Sequence, residues 1–169
     1  MKILVVFMSQ TGNTEKIART IFEEIGDIGE IKSMDNVDGL EGYDFAFVGF
    51  PIQAFGPAVQ AKAFLQSHAD GKKLALFITH AVPEGHPELK EWLTKCRQAA
   101  EGAEIVNMFD CQGELGQEIM TFLKKSDDPK MRAFGEQGAA TKGQPDATRI
   151  ESARQFAKET IKMVMDRNP

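Results

Sequence analysis

Short apolar runs alternate with stretches of helical periodicity along the chain. Residues 2–8 form a continuous apolar run rich in β-branched positions, the mark of a strand buried on both faces. A polar stretch, 9–14, follows. Ile17, Ala18, Ile21, Phe22 and Ile25 then recur at helical spacing, and Gly26 ends that helix. Residues 30–34 read as a short second strand. Residues 43–50 read as another buried strand, stopped by Pro51, and Pro57 opens a helix at its first position. That helix turns Val59, Ala63, Phe64 and Leu65 inward and ends near His68. Residues 73–79 form the next strand and 80–86 a loop. Pro87 begins a helix with Leu89, Trp92, Leu93 and Cys96 on one side. Residues 103–111 read as the last strand, 117–125 as a short helix, and 126–146 as a polar, Gly-rich loop. Thr148 or Asp146 caps a final helix whose apolar face is Ile150, Ala153, Phe156, Ala157, Ile161 and Val164.

Strands alternating with helices in this way demand an α/β fold, a parallel sheet with right-handed crossovers and helices on both faces. No repeat, linker or low-complexity tract divides residues 1–169, so one domain is expected, with a long loop or insertion at about 113–147. Ligands in such sheets bind beyond the carboxyl ends of the strands, where the strand order reverses. Three loops therefore carry the candidate chemistry: 9–14, 51–57 and 79–86.

Composition narrows the function classes. The 25 acidic residues outnumber the 20 basic ones, giving a formal charge of −5. That argues against nucleic acid as a partner, which needs clustered Lys and Arg. No apolar run approaches the ~20 residues of a membrane span, and the opening run is too short for a signal peptide. With only two Cys, free thiols and a cytoplasmic location are the expectation. The three His have no tight spacing with Cys, Asp or Glu, so no metal site is expected.

The first loop joins a buried strand to a helix N-terminus. It offers Ser9, Gln10, Thr11, Gly12, Asn13 and Thr14, and no charge. A helix N-terminus supplies unpaired N–H groups and the positive end of the macrodipole. Gly12 lets the backbone curl so that these groups converge, and the hydroxyls add further donors. The loop reads as a phosphate cradle made of neutral donors. It lacks the Gly-Lys-Ser/Thr of a Walker loop and the three spaced glycines of a dinucleotide fingerprint. It also lacks the acidic residues that a receiver domain carries at the end of its first strand.

The run of residues 5–18, with Val5, Val6, Phe7, Ser9, Gly12, Thr14 and Ala18 at their spacing, resembles the FMN-phosphate signature of the flavodoxin family. Residues 42–51 resemble that family's third-strand approach to its flavin loop. The resemblance implies a three-layer sandwich with a five-stranded parallel sheet in the order 2-1-3-4-5. It also implies FMN as cofactor, held by the phosphate at Ser9 to Thr14. The flavin ring would lie between Pro51, Ile52, Gln53, Ala54, Phe55 and Gly56 on one side and Thr79, His80, Ala81, Val82 and Gly85 on the other.

The family usually stacks the ring on aromatic side chains from these loops, and here the loops offer only Phe55. One face is therefore expected against Phe55 or aliphatic atoms, the other against His80 or Val82. The Phe55–Gly56 peptide is placed to turn its carbonyl toward the hydrogen that flavin N5 gains on reduction, although Pro57 restrains it. Asp44, Glu84, Glu88, Asp110 and Glu114 could form an acidic rim for docking. The resemblance implies an electron carrier between redox partner proteins, a reductase and an acceptor. The alternative is an FMN-dependent reductase acting on a quinone, tetrapyrrole or similar flat substrate, with Glu84, His80 and His86 as proton donors. Residues 113–147 would then be a substrate lid, a docking element or a mobile excursion.

Overall fold

Successive side chains along each inner strand go to opposite faces of one sheet. The computed structural model describes residues 1–166. Strand β1 (Ile3–Phe7) sends Leu4 and Val6 to one apolar cluster and Ile3, Val5 and Phe7 to the other. Strands β3 (Phe45–Gln53) and β5 (Lys73–His80) divide their residues in the same way. Each large apolar side chain fully buried here stabilises the fold by roughly 1.5–3 kcal/mol.

With β2 (Gly29–Ser33) and β6 (Glu104–Gln112), these strands make a parallel sheet in the order β2-β1-β3-β5-β6. A two-residue strand, β4 (Gly56–Pro57), pairs antiparallel with the end of β3 and lies off that path. Counting only the parallel strands, this is the expected order 2-1-3-4-5. Helices α1 (Asn13–Ile25) and α6 (Ala147–Asp166) cover one face, through Ile17, Ala18 and Ile21 and through Ala153, Phe156 and Ala157. Helices α2 (Val59–His68) and α3 (Leu89–Gln98) cover the other, through Ala61, Phe64, Leu65 and Cys96. Gly49 in β3 makes room for the Phe77 ring, since a Cβ there would stand 1.9 Å from it. No helix among the described residues is long and apolar enough to cross a membrane.

Several local expectations are corrected. Pro51 does not stop the strand, because β3 runs on to Gln53 with Pro51 in register with Thr79. Strand β1 ends opposite Gly49, so β3 has an open side there and tolerates a residue without an N–H. Pro57 does not open a helix but sits in β4, and α2 starts at Val59. That start rotates Val59 (82% exposed) and Ala63 outward and Ala58 and Ala61 inward. Pro87 likewise precedes α3, which begins at Leu89.

Residues 126–146 are not a loop. They contain α5 (Pro129–Gln137), which packs against α4 (Gln117–Lys124), and a 3-10 turn at Gly138–Thr141. Asp128 caps α5 by accepting from Lys130 N, and Pro129 fits the first turn. Asp146, not Thr148, caps α6 by accepting from Arg149 N at 3.0 Å.

Candidate functional site

The carboxyl ends of β1, β3, β5 and β6 open onto a cleft of about 460 Å³. Its floor is the turn into α1. Gly12 has φ +92°, with nothing within 4 Å of the position a Cβ would occupy, so the backbone bends into open space. No side chain caps α1, which leaves its first N–H groups without intrahelical partners at the positive end of the helix. Ser9 Oγ accepts from Gly12 N, and Thr11 Oγ1 accepts from Asn13 Nδ2 at 3.2 Å. Thr14 is buried and shares a 2.8 Å hydrogen bond with Thr79, joining α1 to β5. Every donor in the turn is neutral, so the chemistry it fits is an anion held by dipoles.

The cleft brings together ten of the expected residues: Gln10, Thr11, Asn13, Thr14, Pro51, Ile52, Gln53, Thr79, His80 and Ala81. Ser9, Gly12, Ala54, Phe55, Gly56, Val82 and Gly85 are not on its lining. Ser9 Oγ holds Gly12 N, and Ser9 opens onto a neighbouring recess lined by Phe7, Met8, Glu15 and Arg19. Gly56 is paired with Gln53 in the β3–β4 hairpin, so turning its peptide would break that pairing. Ala54 and Phe55 form the hairpin turn, both left-handed at φ 48° and 65°. Neither is glycine, so each carries a backbone cost of about 1–2 kcal/mol.

The strained turn swings Phe55 away from the cleft and against Trp92, with ring centroids 5.2 Å apart. His86 stacks on the same indole at 5.4 Å. Val82, Leu89 and Trp92 form a small buried cluster, packed by Phe55 and by Phe134 of α5. A second recess of about 500 Å³ lies between this cluster and α5. At its rim Lys130 Nζ is 2.8 Å from Glu88 and 5.7 Å from the Phe55 ring centroid.

The loop after β5 is braced by distant groups. His80 is buried, with Nδ1 2.9 Å from Val82 O and Nε2 3.0 Å from Asp110 Oδ2. Gln112 Nε2 donates to Ala81 O at 3.3 Å. Arg149 grips Glu84 through both carboxylate oxygens at 2.5 and 2.7 Å, and Gln112 N donates to the same carboxylate. Burial pushes the Glu84 carboxyl up, but the Arg149 hydrogen bonds and backbone N–H groups outweigh it and hold the pKa at about 2. His86 Nδ1 accepts from Glu88 N. Burial raises the Cys96 and Cys111 thiols to about 12, so both are packing groups and not thiolates.

A fourth loop also lines the cleft, through Gly113, Glu114, Leu115 and Gly116, together with Ile119 of α4. Asn13 Nδ2 donates to Glu114 O at 2.8 Å, and the Glu114 carboxylate turns to Gly143 N. Two glycines at the end of β6 were the available signal for this loop. Of the expected acidic rim only Glu114 lines the cleft, its carboxylate accepting from Gly143 N. Asp44 lies at the opposite, amino edge of the sheet beside Lys2. Glu84, Glu88 and Asp110 are already paired with Arg149, Lys130 and His80.

A doubly wound parallel sheet with a neutral anion cradle after its first strand defines the class of this protein. A family model for the flavodoxin domain matches residues 4–163, and the chain belongs to that family. It is 30% identical over 171 residues to the flavodoxin-like domain-containing protein BilS of Clostridioides difficile, covering 95% of this chain and 97% of that one. Oxidised flavodoxin 2 from Bacillus cereus superposes with a TM-score of 0.63 at 21% identity, over 96% of this chain and 99% of its own. A flavoprotein in complex with FMN from Lactobacillus acidophilus superposes with a TM-score of 0.53 at 22% identity, over 64% of this chain and 92% of its own.

Proposed function

We propose that the protein binds FMN and carries electrons between redox partner proteins, a reductase and an acceptor. The residues fit the cofactor. Its phosphate suits the uncharged turn from Ser9 to Thr14, where the open side of Gly12 leaves room and the α1 N-terminus supplies donors. Its ring suits the slot between Ile52 and Gln53 on one wall and Ala81 on the other. Gln53 Nε2 donates to Gln10 Oε1 across the cleft, a contact that must part to admit the ligand. FMN, when bound, supplies the capacity to take up and release electrons one or two at a time.

The observation that carries the reading is the state of the candidate proton donors. Glu84 is locked on Arg149, both ring nitrogens of His80 face partners, and His86 is stacked on Trp92. Glu84 and His80 are thus not free to deliver a proton to a substrate in the cleft, and His86 lies in the second recess, off the cleft lining; an electron carrier needs no such donor. Because Phe55 is turned away, the ring has no aromatic partner in the slot, a loss of only ~0.5–1.5 kcal/mol.

Titration of the wild type and of Thr11→Ala/Thr14→Ala, both on the cleft lining, with FMN and riboflavin tests the placement. Bonds to a charged group are worth about 1.5–3 kcal/mol each, so the double variant should lose roughly 100-fold or more in FMN affinity and little for riboflavin. Equal losses for both ligands would overturn the position of the tail.

The recess between Phe55, His86, Trp92 and Phe134 favours a second reading, an FMN-dependent reductase of a flat substrate such as a quinone or tetrapyrrole. Steady NAD(P)H oxidation with a quinone, by the FMN-loaded protein alone, would support it. Its absence supports the carrier.

A further inference from the structure

Two successive carbonyls where β5 ends, those of His80 and Ala81, turn away from β3. His80 O accepts from Gly113 N at 2.7 Å and Ala81 O from the Gln112 side chain, both on the β6 side. Strand β5 lies between β3 and β6. In a trans peptide the N–H points opposite the preceding C=O. The N–H groups of Ala81 and Val82 therefore face the β3 side, where Ile52 and Gln53 form the other wall. Such a loop offers donors, and no carbonyl from these two peptides, to whatever fills the slot.

Beside the His80–Asp110 and Ala81–Gln112 contacts, a guanidinium 65 residues away in sequence fixes the far end of this loop. Arg149 Nε and Nη2 take both Glu84 oxygens, while Nη1 reaches Gln144 Oε1 at 3.0 Å and Asp146 Oδ2 at 3.2 Å. Its side chain is only 22% exposed. A planar fork shared between two loops leaves little freedom to either. The geometry points to Arg149 as a positioning residue of the flavin slot. Through Glu84 it helps hold the Ala81 and Val82 N–H groups toward the β3 side, and it pairs the charge of Glu84, two residues beyond them and off the cleft lining, while the ring gains negative charge on reduction. This rests on the FMN reading above.

The test uses the full chain and three variants: Arg149→Ala, Arg149→Lys, and Arg154→Ala as a control on the same helix. In Arg149→Ala, FMN and riboflavin affinity should fall by the same factor, about tenfold, because the loss is at the ring end. The midpoint potential of bound FMN should become more negative, since an uncancelled carboxylate then opposes electron uptake. Arg149→Lys keeps the charge and loses the fork. It should keep the wild-type potential and show part of the affinity loss. Arg154→Ala should match the wild type.

In the flavin-free protein, hydrogen exchange reads the clamp directly. The Gln112 amide, which Glu84 protects, should exchange about tenfold faster in Arg149→Ala. A loss confined to FMN, an unchanged potential, or unchanged Gln112 exchange would overturn the proposal. If the wild type takes up no flavin, the functional reading falls, and the exchange result alone decides the clamp.

Discussion

The two ends of the cleft are built by opposite means. At 9–14 the turn is closed by short-range bonds, Gly12 to Ser9 and Asn13 to Thr11, and is tied to the rest of the cleft through neutral side chains, Gln10 to Gln53, Asn13 to Glu114 and Thr14 to Thr79. At 80–84 the supports come from far along the chain, from Asp110, Gln112 and Arg149. A turn secured by its own residues can rearrange locally as an anion arrives. A loop pinned from two other elements, β6 and α6, keeps its shape whether or not a ligand is present. The phosphate end thus contributes adaptable donors, and the ring end contributes a fixed wall.

The contrast can be broken most sharply at the longest contact of the adaptable end, Asn13 to Glu114. A Cβ on Gly113 would stand 2.6 Å from Asn13 Nδ2 and 2.9 Å from Asn13 Cβ. Gly113→Ala should displace the Asn13 amide and lower FMN affinity about tenfold, with riboflavin little changed, as read by fluorescence titration. A smaller effect is expected at the hairpin tip. Ala54 is exposed at φ 48°, so Ala54→Gly should relieve left-handed strain by about 1 kcal/mol and raise Tm by roughly 2–4 °C.

The smallest effect concerns acid. Glu84 has a folded pKa of about 2 against an ordinary 4.5. Its contribution is present above pH 4.5 and is lost as the pH falls from 4.5 toward 2. Solvent screens it, because the Glu84 side chain is 40% exposed. Thermal melts over that range should show the wild type losing more Tm than Glu84→Gln. Parallel curves would mean that the clamp does not stabilise the fold.

The same division explains what could be read in the sequence. The inner strands were legible because burial on both faces makes them continuous apolar runs, their parallel pairing because they alternate with helices, and their order only through the resemblance to the flavodoxin family. The cradle was legible because a strand, a hydroxyl-rich turn and a helix start are contiguous. Helix α5 was not, although Asp128 and Pro129 mark its start, because Gly135 and Gly138 interrupt its apolar spacing. Those glycines serve close packing, since Cβ atoms there would meet Leu123, Leu115 and Met120 at under 3 Å. Phe55 was placed on the correct loop, but only the left-handed turn sends its ring toward Trp92. The Glu84–Arg149 pair leaves no local pattern, because a contact across 65 positions has no period to detect.

The chain holds a single Trp, and Trp92 lies where the hairpin tip, α3 and α5 converge. Nature has thereby installed an optical gauge at this junction. Its emission should track any shift of the α4–α5 arm or of the hairpin, so movements beside the cleft can be followed in real time without attaching a dye.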